Sequence, residues 1–314
     1  MKARGLISNA LAALLLAGCG GGGDSTSPPP NHPLVWSTVS SGTSQVLFGV
    51  WGTSTSDVWA VGYASVLHYN GSTWSSLSVG ASQGAYGVWG TSPTDVWVVG
   101  SDGTPLHYDG TNWTRGAKLP ILSLQKVWGT SASNVWAVGQ LGTILHYDGT
   151  SWSGISTAQT NWFFGVWGSS ASDIWAVGYD NIAPLYLPVM FHYDGTTWSS
   201  VSTGFAEGFR GVWGTSASDV WVVGEGGIIL HYNGTQWTSV SSPTTQTLRA
   251  VWGTSASDVW AVGNLRTIIH YDGSSWSTVR SETTDILMDV WGSSSSSLWS
   301  VGTTGTIIHA APSP

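Results

Sequence analysis

A single cysteine in 314 residues excludes an intramolecular disulfide and any zinc site built from paired cysteines. Charge is also scarce, at 8% of residues, and it is unbalanced: nine Lys and Arg stand against seventeen Asp and Glu, a formal net charge of −8. Binding to a phosphate backbone needs a basic stripe, so a nucleic-acid role is disfavoured. Glutamate occurs only at Glu207, Glu225 and Glu282, which leaves little material for paired-carboxylate catalysis. No Walker loop, dinucleotide fingerprint or serine elbow appears, and neither a cofactor nor a metal is expected. The apolar stretch from Leu6 to Leu16 is too short to span a membrane as a mature helix.

What the chain has in excess is tryptophan, and 21 of its 22 tryptophans fall on one ruler. The first of each unit lies in a Val-Trp-Gly triplet, at Trp51, Trp89, Trp128, Trp167, Trp213, Trp252 and Trp291, with steps of 38, 39, 39, 46, 39 and 39 residues. Periods of this length mean solenoids or propellers. A second tryptophan follows eight residues later every time, from Trp59 to Trp299, and a third lies six residues after a histidine, as in His68 and Trp74. Within a unit, Gly49 to Gly52, Val58 to Gly62, Val66 to Tyr69 and Thr73 to Leu77 read as strands A to D. Asp-Gly and Asn-Gly pairs supply the C to D hairpins.

These features predict an all-β, seven-bladed β-propeller over residues 34–314, with four antiparallel strands per blade. The last unit ends at His309, so its third tryptophan would fall at 315, one residue past the end. Trp36 lies fifteen residues before Trp51, the spacing found between every other third tryptophan and the next unit. Residues 34–39 are therefore expected to complete the last blade and close the ring, leaving no open sheet edge.

The repeated residues read first as structure. Tryptophans at fixed positions fill the wedge between neighbouring sheets. The seven recurring histidines bond a neighbouring strand or turn. Asp57, Asp95, Asp173, Asp219 and Asp258, with Asp109, Asp148, Asp194 and Asp272, are expected to cap their hairpins.

Function is sought where the units differ. Because strands alternate in direction, the B to C loops and D to A connections share one face. All length variation lies there, including seven extra residues between Gly178 and His192. Every basic residue of the propeller maps to that face. Aromatic residues cluster in its first half (Tyr86, Trp162, Phe163, Phe164, Tyr179 and Tyr186), and Arg210, Glu225, Arg249, Arg266 and Asp289 lie in its second. Aromatic and arginine residues dominate interface energetics, so these form the candidate binding patch. The alternative is that each merely caps its own loop.

At the N-terminus, Lys2 and Arg4 precede the apolar stretch as in a secretory signal. Leu16-Ala17-Gly18-Cys19 then resembles the bacterial lipoprotein lipobox. The resemblance implies a signal peptide over 1–18 and lipidation of Cys19. It also implies export to the outer membrane, which Gly20 in place of aspartate favours, with the protein periplasmic or on the surface. Residues 19–33, rich in glycine, serine and proline, read as the flexible tether.

The repeat itself, such as Tyr147-Asp148-Gly149-Thr150-Ser151-Trp152, resembles the propeller repeats of exported bacterial lipoproteins, loosely Asp-box, kelch, WD40 or YVTN-like. Its aspartate and tryptophan stand one residue closer than in an Asp-box. That family includes glycosidases and proteins without activity, so fold alone does not license an enzyme. The leading expectation is a monomeric, non-catalytic scaffold that binds an envelope or extracellular protein. A multivalent lectin that binds glycan is the second reading, and a glycosidase or lyase the third.

Overall fold

A computed structural model describes residues 34–79, 84–116, 123–157, 160–182 and 186–313. The expected signal segment, Cys19 and tether lie outside the described residues, as does Lys118. The described chain forms seven four-stranded antiparallel sheets arranged as a propeller. In blade one, strand A is Leu47–Ser54, B is Asp57–Gly62, C is Ser65–Tyr69 and D is Trp74–Leu77. Strand A is thus longer than the sequence suggested, since pairing continues through a register shift at each end, between Leu47 and Gly49 and between Gly52 and Ser54. The A strands pack against one another around the centre, and D strands lie outermost.

The ring closes as expected. Leu34–Val39 pairs antiparallel with Ile307–Pro312, Trp36 standing opposite Ala310, and completes the seventh sheet. Trp36 is buried and meets Trp260 of blade six edge-on at 6.0 Å. Six-residue pairing at this seam leaves the seventh blade with the same four-strand complement as the rest.

Seven hydrophobic clusters hold the ring together, and each straddles two neighbouring blades. The strand B tryptophan of one blade lies between its own histidine and the outer aromatics of the next. Trp59, for instance, packs at 4.3 Å on His68 and at 5.6 and 5.9 Å on Tyr108 and Trp113. The Val-Trp-Gly triplet makes a second lock. Each strand A indole abuts the triplet glycine of the following blade, from Trp51 on Gly90 round to Trp291 on Gly52. A Cβ on any of these glycines would stand 2.7–2.8 Å from the ring, so the repeat requires glycine at that position for close approach.

The histidines hydrogen-bond as expected, but their partners revise the assignment of the A to B turn aspartates. Asp57 accepts from His68 Nε2 at 2.6 Å and from the Thr53 hydroxyl, and Asp95, Asp173, Asp219 and Asp258 accept likewise from their blade's histidine, at 2.6–2.8 Å, and from a threonine or, in blade four, a serine hydroxyl. A carboxylate has no proton to give, so each histidine donates from Nε2. The turn itself is capped by serine, whose hydroxyl accepts a backbone N–H two residues on, as Ser54 does from Ser56. In the C to D hairpins the expected capping holds: Asp109 Oδ1 accepts the backbone N–H groups of Thr111 and Asn112 at 2.8 and 2.7 Å, and these bonds bring its pKa down to about 2.

Two blades lack the carboxylate. His146 faces Asn134 and His309 faces Ser297, at 2.7 and 3.0 Å. Burial lowers both histidines below the usual 6.5, offset only in part at His146 by the nearby Asp148 charge. A base whose folded pKa is depressed takes up its proton more readily when unfolded, so stability falls as pH drops below 6.5. Asn134→Asp, which restores the acid of the other blades, should flatten this dependence. Urea midpoints between pH 7.5 and 5 check it; equal slopes in the two proteins would contradict it.

Candidate functional site

Strand A begins on the face of the B to C loops, and its first residues line a central funnel of about 320 Å³. Three layers are visible once the blades are aligned on the Val-Trp-Gly triplet. Just above the tryptophan every blade has valine, from Val50 to Val290. The outermost layer is Phe48, Tyr86, Gln125, Phe164, Arg210, Arg249 and Met288, different in nearly every blade. Between them lie Gly49, Gly87, Lys126, Gly165, Gly211, Ala250 and Asp289.

Small residues in that middle layer let adjacent strands approach; the Cβ position of Gly87, for example, stands 3.0 Å from Lys126 Cα. Lys126 and Asp289 are its two exceptions, and they pair with each other. Lys126 Nζ lies 2.7 Å from Asp289 Oδ2, which also accepts the Val50 backbone N–H at 3.1 Å. Blades three and seven are as far apart as a seven-membered ring permits, so this ion pair crosses the channel. Asp289 is 7% exposed by side chain and Lys126 30%. The pair forms the floor of the funnel.

Two arginines stand in the outer layer. Arg210 donates from Nε to Glu225 Oε1 at 2.7 Å, and its guanidinium lies over Phe164 at 4.6 Å and Tyr179 at 5.1 Å. Stacking of this kind holds a cation flat against an aromatic wall. Glu225, in a short 3-10 turn at Glu225–Gly227, also accepts the Thr247 hydroxyl at 2.7 Å. Burial alone would raise the Glu225 pKa, but the Thr247 and Arg210 interactions hold it below its ordinary value. Arg249 donates from Nε to Asn264 Oδ1 at 2.7 Å. Burial, then the neighbouring Arg210 charge, lowers its pKa.

The candidate residues separate accordingly. Tyr86, Trp162, Phe164, Arg210, Arg249 and Asp289 come together in the funnel. Tyr179, Tyr186 and Glu225 line an adjoining cavity of about 370 Å³ with Glu207, and Arg210 borders both. The blade four insertion builds that cavity, Tyr179 packing on Phe164 at 4.8 Å and Tyr186 on Tyr179 at 5.5 Å. Phe163 is not on the face: it is fully buried, edge-on to Phe191 at 5.6 Å. Adjacent side chains of a strand face opposite sides, and the register shift between Phe163 and Gly165 sets which of the two phenylalanines enters the core. Arg266 is exposed on the B to C loop of blade six, away from the funnel wall, where both it and Leu265 have positive φ. Asp289 is a buried wall residue and not a surface acid. Lys126, Gln125 and Met288 also line the funnel, outside the expected patch; aligning the repeats at two and three residues before the strand A tryptophan would have found them.

A rim surrounds the funnel. Seven large apolar residues are exposed among those described, and six of them, Tyr63, Leu141, Ile182, Tyr186, Leu187 and Leu265, belong to B to C loops. The strand B tryptophans, by contrast, are 2–4% exposed and occupied in blade packing. The funnel holds one acid, Asp289, and no group of three His, Cys, Asp or Glu among the described residues is placed to hold a metal.

No protein-family model matches this sequence, and no curated protein does. Solved structures do. YCF48 bound to D1 peptide superposes with a TM-score of 0.73 at 16% identity, over 92% of this chain and 100% of its own. YCF48 from Cyanidioschyzon merolae gives 0.71 at 16% identity, over 88% and 99%. The WD40 beta propeller domain of Doa1 gives 0.75 at 10% identity, over 90% and 98%. At these identities the likeness concerns the fold, and it is the propeller described above.

Proposed function

We propose that the protein is a non-catalytic binding module, tethered to the bacterial outer membrane through Cys19, that holds a protein partner on the face of the B to C loops. The observation that carries this reading is the concentration of exposed apolar side chains on that one face, around a funnel of aromatic and arginine residues. Apolar patches with polar surroundings mark interaction sites. Strain points the same way. Leu141, Tyr186, Leu265 and Arg266 have φ between 46 and 56°, a left-handed conformation costing about 1–3 kcal/mol for a bulky residue. Such a cost fits side chains held outward for contact. That a propeller of the same fold is seen bound to D1 peptide supports a protein ligand. The lipobox resemblance at Leu16 to Cys19 supports the tether.

The experiment is a pulldown from solubilised envelope with the full chain as bait. Tyr63→Ser, Tyr186→Asn and Leu265→Asn combined should abolish capture of a discrete protein prey. Thermal stability should hold or rise, because asparagine tolerates positive φ at the last two sites. In the same preparation Cys19→Ala should move the protein from the membrane to the soluble fraction. Undiminished capture by the triple variant would sink the assigned face, and release of glycan as the only prey would favour the lectin.

A further inference from the structure

Three cations face the funnel, and two of them are matched by anions: Lys126 by Asp289 and Arg210 by Glu225. Arg249 is not. Its bonded partner is the neutral Asn264 amide, on Nε, and its four Nη hydrogens make no bond to a described residue. The funnel therefore holds one positive charge in excess, inside a chain whose formal net charge is −8. Burial and Arg210 both press on that charge, and Glu225, already bonded to Arg210, offsets only part of it.

We infer that Arg249 receives a carboxylate of the partner, presented by a peptide segment whose end or side chain enters the funnel. The inference rests on the reading of this face as a protein-binding surface. The chemistry is that of the guanidinium, whose Nη edge offers parallel donors to the two oxygens of a carboxylate. Asn264 fixes the Nε side and so sets which edge faces the cavity. Phe48 and Tyr86, edge-on to each other at 5.0 Å, with Phe164, supply the apolar wall that excludes water from such a pair. The Lys126 bridge to Asp289 closes the floor, so a chain end or a single side chain fits where a threaded strand does not.

The test uses the full chain in detergent and four synthetic pools of random heptapeptides. One pool has free C-termini and no Asp or Glu, the second is amidated with Asp and Glu allowed, the third has both carboxylates, and the fourth is amidated with Asn and Gln only. Retention of a carboxylate-bearing pool is expected at least tenfold above the fourth. It should be lost in Arg249→Gln and only partly restored in Arg249→Lys, with the melting temperature of neither variant lowered. The first and second pools tell a chain-terminal from a side-chain carboxylate. Equal retention of the fourth pool, lost in the rim variant but not in Arg249→Gln, would overturn the inference and leave the binding face standing. Retention of no pool would overturn both.

Discussion

Removing the closing strand, residues 34–39, lowers the thermal unfolding midpoint by more than about 10 °C and promotes self-association through the bared sheet edge. The estimate starts from Trp36, which is 2% exposed and packed on Trp260. Truncating such a tryptophan to alanine costs about 3–5 kcal/mol. At about 2–4 °C per kcal/mol for a domain near this size, Trp36→Ala alone shifts the midpoint by about 6–20 °C. The full deletion does more, because it also removes six residue pairs and bares the edge of Ile307–Pro312. Calorimetry and size-exclusion chromatography of both variants check this. A deletion no worse than Trp36→Ala, eluting as the intact protein does, would show that the seam contributes only one side chain.

The second large effect lies at the funnel floor. Asp289→Ala leaves the Lys126 ammonium across the channel without its counter-charge and the Val50 N–H without an acceptor. Breaking a buried pair from one side costs about 3–5 kcal/mol; with Lys126 30% exposed, solvent screening reduces this to about 2–3 kcal/mol. Lys126→Met leaves a carboxylate that is 7% exposed and costs a similar amount. Both changes together recover most of the loss, since replacing a buried pair with apolar residues is often neutral. A double-mutant cycle from urea unfolding measures it, and additive single effects would mean that the two side chains do not interact.

Fold and site were legible in the sequence to different degrees, for a physical reason. The blades and their closure could be read because the side chains that pack one blade on the next recur in each repeat, so seven copies voice the same signal. The face could be read from loop lengths, which need no coordinates. Individual roles could not. Asp57 and His68 stand eleven residues apart and meet only when strands B and C pair, which turned an expected cap into a half-buried acceptor. Phe163 and Phe164 are neighbours in sequence, and one register shift decided which became core. Lys126 and Asp289 are 163 residues apart, and their pairing follows only from ring size and layer.

The seam has one more consequence. Chain N-terminal to residue 34 joins the ring at the strand that closes it, so tension arriving along that segment loads Leu34–Val39 before any other part of the structure. Six rungs and one indole then act as a mechanical fuse. A pull that leaves the remaining blades intact can unlatch the ring, making its resistance to force local even though its resistance to heat is shared by all seven interfaces.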